Sequence, residues 1–395
     1  MVGVLAAGAA LAQEPRGAAP RPVRGAHEAV RHPDKVFRDD LGLAVPGTPI
    51  DHPARVYPAA DDFPTGPAVG ERLPDFVLPN QRGERVDFHR QRAGRKAVVV
   101  FVRSAVWCSY CITQLVELQE TLDLFRSAGF AVYAISYDPQ PALRRFAERY
   151  HIAYDLLSDE GSAVIRRFGI LNTLIDPSDR RAPPFVGIPF PGSYVVNESG
   201  VVTEKFFNRH YATRMSSATI LDKALGRALA VPEPADAARR GKQATVTATP
   251  AGRVMRPEVI NTLRVRLDLP PGLHVYGTPL PEGFVPTRVA VRPSHQLRLG
   301  APVYPGTTPR RFEALGVTLP VYDGALTVDV PVALHAGWNR FLDAPARAGM
   351  PAVERVSLTV DVDYQACSST ICYPPDRVRL TLEVPTAGLI YPGLQ

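Results

Sequence analysis

Four cysteines in two close pairs are the residues whose types and spacing could do chemistry in this chain of 395 residues. Cys108 and Cys111 stand in the sequence WCSYC, and Cys367 and Cys372 follow near the C-terminus with four residues between them. Two neighbouring thiols interconvert with a disulfide, so each pair is a candidate dithiol redox centre. A closed zinc site needs four ligands, and no second CxxC or HxxxH follows the first pair. We therefore expect neither a metal nor another cofactor.

The first pair lies between a predicted strand and a predicted helix. Ala97 to Val102 is a short apolar, β-branched run that suits a strand buried on both faces. Apolar residues recur at helical spacing beyond the pair, at Ile112, Leu115, Val116 and Leu118. This order places Cys108 at a helix N-terminus, where the helix dipole favours its thiolate, with Cys111 one turn further along. Cys111 could then attack a mixed disulfide formed on Cys108; an inert structural disulfide is the alternative.

The elements around this unit alternate between strand and helix from residue 69 to residue 230. Such alternation predicts an α/β sheet with helices on both faces. Residues 188–202 predict a closing hairpin, and residues 217–230 predict the terminal helix, with Ser217 as its N-cap.

Several stretches of this region together resemble one family. They are GERLPDF (70–76), the WCSYC unit, AISYD (134–138), LLSDEGSAVIRRFGI (156–170) and PGSYVVNESGVV (191–202). This combination resembles the AhpC/TSA redoxin family, which implies a thioredoxin-like fold. The resemblance implies that Cys108 is the nucleophile and Cys111 the resolving cysteine. It also implies that Pro191 is a cis-proline that aligns the substrate, and that Trp107 and Tyr110 shape the apolar surroundings.

Two departures from the peroxiredoxin pattern help to choose between enzyme classes. Peroxiredoxins carry a peroxide-activating Thr or Ser three residues before the reactive cysteine, and here that position is Ala105. The family's active-site Arg has no counterpart just before the final hairpin. Without these donors a peroxide O–O bond is poorly polarised, so we expect thiol–disulfide exchange with protein substrates first. A peroxiredoxin-like thiol peroxidase is the alternative, and a non-enzymatic binding protein with structural disulfides is a second one.

The C-terminal region changes to an all-β pattern. Short alternating or β-branched runs between Pro and Gly turns predict an antiparallel sandwich. The stretch YQACSSTICYPP (364–375) resembles the signature of the immunoglobulin-like N-terminal domain of the thiol:disulfide interchange protein DsbD. The resemblance implies that Cys367 and Cys372 form a second redox-active pair, with Tyr276 beside it and His274 in the place of another tyrosine. A disulfide that only staples the domain is the alternative.

The remaining features indicate the compartment and the partners. Residues 1–12 resemble a signal peptide, no other apolar run is long enough to span a membrane, and paired cysteines suit an oxidising compartment. We therefore expect an exported bacterial protein of the periplasm. The net charge of +6 is spread along the chain, which argues against nucleic-acid binding. We expect a membrane-embedded reductase as the electron donor, and transfer of electrons between the two cysteine pairs.

The predicted organisation has five segments. They are a signal-like segment (1–12), a Pro-rich irregular extension (13–66), a thioredoxin-like redoxin domain (67–231), a linker (232–242) and a DsbD-like β-sandwich (243–386).

Overall fold

The structure is a computed structural model that describes residues 37–38, 44–45, 53–226, 237–294, 296–334 and 355–392. The predicted signal-like segment, most of the Pro-rich extension and the start of the linker lie outside these residues. Within the described ranges, no helix is both long enough and apolar enough to cross a membrane.

A central sheet organises the N-terminal region. The strands up to residue 215 are β1 (Phe37–Arg38), β2 (Ala44–Val45), β3 (Val77–Pro79), β4 (Arg85–Asp87), β5 (Lys96–Phe101), β6 (Phe130–Ser136), β7 (Asp155–Ser158), β8 (Gly192–Val196), β9 (Val202–Phe207) and β10 (Arg214–Met215). The five-stranded sheet has the order β7-β6-β5-β8-β9; β5 runs parallel to β6 and antiparallel to β8. Every residue of β5 after Lys96 is buried, because a continuous β-branched run fits a strand covered on both faces.

Helices cover both faces of this sheet. They are α1 (Phe88–Gln91), α2 (Ser109–Glu120), α3 (Leu122–Ser127), α4 (Gln140–Tyr150), α5 (Ala163–Arg167) and α6 (Ser217–Leu225). Short 3₁₀ turns lie at Pro53–Arg55 and Pro183–Phe185 in this region and at Glu313–Leu315 in the C-terminal region. Val98 and Val100 of β5 share one core with α2, α3, α4 and α6, whereas Val99 and Phe101 share the other with α1 and α5. The predicted α/β sheet with helices on both faces is therefore confirmed.

The terminal helix differs from its prediction at both ends. The N-cap of α6 is Ser216 rather than Ser217, because the Ser216 side chain accepts a hydrogen bond from the Thr219 backbone N–H at 3.1 Å. The helix ends at Leu225, where Gly226 adopts the left-handed backbone that closes many helices.

The C-terminal region is rich in strands, as predicted. They are β11 (Ala237–Arg240), β12 (Thr245–Pro250), β13 (Val259–Asp268), β14 (His274–Tyr276), β15 (Arg288–Val291), β16 (Leu297–Leu299), β17 (Thr308–Phe312), β18 (Val317–Asp323), β19 (Ala325–Leu334), β20 (Arg355–Tyr364) and β21 (Asp376–Pro385). The sheets β11-β12-β13-β19-β16 and β15-β20-β21 share one apolar core, and β14-β18-β17 form a smaller sheet. The linker prediction is wrong for residues 237–240, because they pair with β12 as β11.

The two regions contact each other extensively. Strand β10 belongs to the N-terminal region but pairs in parallel with β13, a strand of the C-terminal region. Helix α6 adds an ion pair across the junction, from Asp222 to Arg264 at 2.7 Å. The C-terminal tail also reaches back to α2, where the Ile390 backbone N–H donates to the Thr113 hydroxyl at 2.9 Å. The helix that carries the first cysteine pair is thus packed against the C-terminal half of the chain.

Candidate active site

The first cysteine pair lies where β5 leads into α2. Cys108 is the N-cap of α2 and Cys111 lies in its first turn, as the sequence predicts. Both thiols are free and buried, with 3% of Cys108 and none of Cys111 exposed. The Cys108 side chain makes no capping hydrogen bond to the helix N–H groups. The helix N-terminus therefore does not bind the Cys108 sulfur directly.

Two buried arginines supply the positive charge of this site. Arg214 donates from Nη2 to the Cys111 sulfur at 3.1 Å. The guanidinium carbon of Arg103 lies 5.0 Å from the ring centre of Trp107 and 5.2 Å from that of Tyr211. Since only 2% of Arg103 and 3% of Arg214 are exposed, water screens these charges poorly.

The charges of both arginines act to lower the pKa of both cysteines, and Arg214 directly contacts the sulfur of Cys111. Burial raises the pKa of Cys108 well above its usual value, and the hydrogen bond to Cys111 raises it further. Burial also acts to raise the pKa of Cys111, but the hydrogen bond from Cys108 and the charges of Arg214 and Arg103 lower it well below its usual value. The direct contact from Arg214 therefore favours a thiolate on Cys111, whereas the sequence predicts one on Cys108.

A buried carboxylate holds the loop before Cys108. Asp138 accepts hydrogen bonds from the Ser104 hydroxyl at 2.8 Å and from the Ala105 backbone N–H at 2.7 Å. The Ser136 hydroxyl donates to the same carboxylate at 2.9 Å. Burial raises the pKa of Asp138 despite these bonds. Ala105 occupies the position that usually activates peroxide, and Ser104 precedes it. The hydrogen-bond donors of both residues thus bind the Asp138 carboxylate.

Aromatic side chains surround the pair, as the resemblance implies. Trp107 donates from Nε1 to the Tyr137 hydroxyl at 2.9 Å, and its ring meets Phe185 edge-on at 4.9 Å. The ring of Tyr110 meets Tyr211 edge-on at 6.1 Å. The structure therefore places Trp107 and Tyr110 in the apolar surroundings of the cysteines, where the sequence predicts them.

A segment from the predicted extension covers this site; we call residues 53–57 the covering segment. Its Ala54 carbonyl accepts a hydrogen bond from Arg103. Its Tyr57 ring lies 6.5 Å from the ring of Tyr211. Because Arg103 and Tyr211 border the cysteine pair, the covering segment helps to exclude water from it.

Pro191 does not have the peptide conformation that the resemblance implies. Among the described residues only the Thr278–Pro279 bond is cis, so the bond that precedes Pro191 is trans. Pro191 is buried and directly precedes β8, whose Gly192 pairs with Phe101 at the end of β5. The proline thus lies near the loop that leads to Cys108, but the prediction of a cis-proline is wrong.

The second cysteine pair forms a disulfide in a different environment. Cys367 and Cys372 are bonded to each other; Cys367 is fully buried and Cys372 is exposed. The Tyr276 hydroxyl lies 3.7 Å from the Cys372 sulfur, which confirms the predicted neighbour. The backbone of His274 exchanges two hydrogen bonds of 2.9 Å with that of Cys367, so His274 also lies beside the disulfide.

The two pairs lie near opposite ends of β13. Arg214, which contacts Cys111, pairs with Val259 at the start of this strand. The other end of β13 pairs with the start of β19. Strand β18 directly precedes β19 and pairs with His274, which lies beside the second cysteine pair. A strand rises about 3.3 Å per residue, so the length of β13 alone corresponds to roughly 30 Å. Direct exchange between the two pairs therefore requires a different arrangement of the two regions.

Sequence reasoning missed three buried charged residues of the site. Arg103 offered a signal, because it is a charged residue within a buried stretch only a few positions before Cys108. Asp138 lay within the AISYD stretch but had no local feature that pointed to the cysteines. Arg214 offered none, since it lies 103 residues from Cys111 and reaches it only through the tertiary fold.

The chain matches two protein families. It matches the AhpC/TSA family over residues 69–205 and the N-terminal part of the thiol:disulfide interchange protein DsbD over residues 243–383. Both resemblances that the motifs suggested are thus confirmed in one chain. With the α/β sheet described above, the first match assigns the N-terminal region a thioredoxin-like fold.

Individual proteins are similar to part of this chain. Peroxiredoxin Q, chloroplastic, of Sedum lineare is 31% identical over 140 residues, which cover 35% of this chain and 69% of that protein. Peroxiredoxin Bcp of Escherichia coli (strain K12) is 36% identical over 105 residues, 26% of this chain and 64% of that protein. The crystal structure of peroxidoxin BcpB from Mycobacterium tuberculosis is 21% identical and covers 40% of this chain and 94% of that chain, with a TM-score of 0.33. The peroxiredoxin-like protein from Aquifex aeolicus is 19% identical and covers 41% of this chain and 90% of that chain, with a TM-score of 0.35.

Proposed function

This chain belongs to the AhpC/TSA family and is a thiol redox enzyme, and we propose that it exchanges disulfides with protein substrates through Cys108 and Cys111. The observation that carries this proposal is the buried Cys111 sulfur, which accepts a hydrogen bond from Arg214 and shares one with Cys108. A reduced dithiol in this form can give two electrons to a substrate disulfide. Family membership favours such an enzyme over a binding protein with purely structural disulfides.

Cys108 is the proposed nucleophile because it is the less buried residue of the two. As Cys108 attacks a sulfur of the substrate disulfide, its proton passes along the hydrogen bond to Cys111, and the substrate S–S bond breaks to release one thiolate. That thiolate takes the proton from Cys111. The restored Cys111 thiolate attacks the Cys108 sulfur of the mixed disulfide and releases the second substrate thiolate, which takes a proton from water. The substrate gains two electrons and two protons, and a Cys108–Cys111 disulfide remains.

The substrate path is proposed to follow the aromatic surroundings of the pair. Trp107 and Tyr110 are partly exposed, so they offer apolar contacts to an incoming peptide. Pro191 is proposed to support this path through its place beside the end of β5, although its peptide bond is trans. The covering segment must move aside before a protein disulfide reaches Cys108.

A thiol peroxidase is the second candidate, and two observations favour it. The relatives named above are peroxiredoxins. Arg103 and Arg214 also supply positive charge near the sulfurs that the sequence alone did not reveal. Against it, Ala105 has no hydroxyl, and the neighbouring Ser104 hydroxyl donates to Asp138. We therefore place disulfide exchange first.

A stopped-flow comparison tests this order. The fully reduced protein is mixed with excess hydrogen peroxide or with an oxidised protein disulfide, and loss of thiols is followed with the Cys108→Ser variant as control. We expect fast, Cys108-dependent oxidation by the protein disulfide and slow oxidation by peroxide. Fast peroxide reduction that depends on Cys108 would reverse the order and make the enzyme a thiol peroxidase.

The second cysteine pair is proposed to connect the enzyme to its electron donor. The match to the DsbD N-terminal domain supports a role for Cys367 and Cys372 in thiol–disulfide exchange and a location in the periplasm. We propose a membrane-embedded reductase as the donor to this pair. Because the length of β13 separates the two centres, electrons would pass to Cys108 and Cys111 when the two regions separate or when a second molecule docks.

A trapping experiment tests this transfer. The Cys111→Ser, Cys372→Ser double variant should accumulate a Cys108–Cys367 bond, detected by peptide mapping. A yield that rises with protein concentration would indicate exchange between molecules, and a constant yield would indicate exchange within one. The complete absence of this bond at every concentration would refute the transfer.

The chain is proposed to contain two domains. We propose a redoxin domain over residues 67–231 and a DsbD-like domain over residues 243–386, with β11 as an added edge strand of the latter. We also propose that the two large sheets of the C-terminal region form an immunoglobulin-like sandwich, since they share one core.

A further inference from the structure

The backbone around Arg214 is held by the C-terminal domain. The Arg214 backbone N–H donates to the Glu258 carbonyl at 2.9 Å, and the Ser216 N–H donates to the Ile260 carbonyl at 2.9 Å. These bonds form the short parallel pairing of β10 with β13. The position of Arg214 along the chain is therefore fixed by a strand that belongs to the other domain.

The guanidinium of Arg214 is fixed by the turn that precedes it. Its Nη1 donates to the carbonyls of Tyr211 and Thr213 at 2.9 Å and 2.8 Å, while its Nη2 donates to the Cys111 sulfur at 3.1 Å. The turn thus orients the arginine toward the thiolate. A hydrogen bond to sulfur weakens steeply when its geometry is lost, so movement of this turn would weaken the contact.

A buried ion pair of the C-terminal domain holds the same turn. The Thr213 hydroxyl donates to Glu258 Oε2 at 3.2 Å. Arg298 Nη1 forms an ion pair with the same carboxylate oxygen and lies 3.2 Å from the Thr213 hydroxyl. Glu258 is fully buried and Arg298 is 6% exposed. Because separating the two partners would leave an uncompensated buried charge, the pair stays closed and keeps Thr213 in place.

The backbone conformation of Glu258 indicates that its place beside the turn is enforced by its surroundings, and its charge acts on groups near the cysteines. Glu258 has a φ of 62°, a left-handed conformation that is uncommon for residues other than glycine and tends to persist where the surroundings enforce it. Burial raises the pKa of Tyr110 and of Tyr211, and the charge of Glu258 raises both further, so this charge acts at the cysteine site. Pairing with Arg298 reduces the effect of this negative charge on the nearby thiolate.

We propose that the C-terminal domain completes the dithiol centre of the redoxin domain, with Glu258 and Arg298 acting as positioning residues that hold Arg214 against the Cys111 sulfur. This inference rests on the proposed function, because it concerns the same cysteine pair. It gives the second domain a task that does not involve its own disulfide. It also predicts that the thiolate on Cys111 depends on residues outside the redoxin domain.

The test measures the thiolate directly in the reduced full-length chain. Thiolate absorbance near 240 nm is followed from acid to alkaline pH, and the titration of the Cys111→Ser variant identifies the contribution of Cys111. The Glu258→Gln, Arg298→Met double variant removes both charges, so no isolated buried charge remains to prevent folding. We expect about a tenfold smaller thiolate-to-thiol ratio at a given pH than in the parent, because the opposite charge near the sulfur is then poorly placed.

Matched variants separate positioning from general damage. Thr213→Val removes only the hydroxyl that the ion pair holds, whereas Thr213→Ser keeps it, so the first should shift the titration in the same direction and the second should not. Lys223→Gln breaks another contact between the domains, the ion pair with Asp329, and should leave the titration unchanged. Parental titration curves in both the double variant and Thr213→Val would overturn the proposal, whatever happens to their melting temperatures.

The titration needs no substrate, so it is independent of the stopped-flow result. A shifted titration with no disulfide exchange would refute the proposed function and support the positioning role. Normal disulfide exchange by the parent with an unshifted titration in the variants would support the proposed function and refute the positioning role.

Discussion

The two cysteine pairs of this chain differ in the charge that surrounds them. Cys111 is buried with a guanidinium 3.1 Å from its sulfur, whereas Cys372 is exposed and has a tyrosine hydroxyl 3.7 Å from its sulfur. Phe284 and Phe312 extend the aromatic surroundings of the second pair. A buried positive charge stabilises a thiolate, whereas the charge near the second pair, on Arg310, is half-exposed and is paired with Asp323. The comparison teaches that the first pair is buried beside a positive charge, whereas the second presents an exposed cysteine, Cys372, to a partner.

Removing the nucleophile should have the largest effect. Cys108→Ser should slow oxidation by a protein disulfide by at least about a thousandfold, because loss of a nucleophile removes the covalent route. The Cys367→Ser, Cys372→Ser variant is the matched control and should retain the parental stopped-flow rate. If the control were oxidised as slowly as Cys108→Ser, the first pair could not be the pair that reacts directly with the substrate.

Removing the charge beside the first pair should have the next largest effect. Arg214→Met should raise the pKa of Cys111 and lower its thiolate-to-thiol ratio at a given pH by at least about tenfold, since a nearby opposite charge favours the thiolate. Less thiolate would then be present at neutral pH, and the pH at which half of it forms would move upward in the absorbance titration. Arg214→Lys keeps the charge and should show a smaller shift. An unchanged titration in Arg214→Met would show that this arginine does not set the pKa.

Weakening the cover over the first pair should have a moderate effect. Burying a large apolar side chain contributes about 1.5–3 kcal/mol, so Tyr57→Ala should raise the open fraction by at least about tenfold. The rate at which iodoacetamide alkylates the reduced protein should rise accordingly. Tyr150→Ala removes a ring on α4 and is the control, with no change expected. Equal rates in the parent and Tyr57→Ala would show that the covering segment does not limit access.

The smallest effect is expected at the second pair. Tyr276→Phe removes a hydroxyl that lies near Cys372 at long hydrogen-bond range. Since a hydrogen bond contributes about 1 kcal/mol, reduction by dithiothreitol should change by no more than about fivefold. The measurement is made in a Cys108→Ser, Cys111→Ser background, and Tyr322→Phe serves as a control for loss of a hydroxyl in the same domain. A change of several hundredfold would mean that the hydroxyl takes part in the exchange itself.

Local patterns allowed much of the fold to be predicted. The continuous apolar run of β5 identified this strand within a residue, because burial on both faces leaves such a run in the sequence, and the alternation in β19 is typical of a strand that is buried on one face. Strand β21 alternates in the same way, so it was within reach of the same reasoning. Strand β11 carries only two alanines and two arginines and is mostly exposed, so only its pairing with β12 identifies it.

The sequence by itself determined the spacing of the two cysteine pairs, the strand-loop-helix unit that carries the first, and both family resemblances. These features depend on residues that are close together in the chain. Tertiary structure decided which sulfur of the first pair an arginine contacts, because Arg214 lies 103 residues from Cys111 and is held there by a strand of the other domain. Electrostatic interactions depend on distance in space and on burial. Neither quantity is contained in a local pattern of residues.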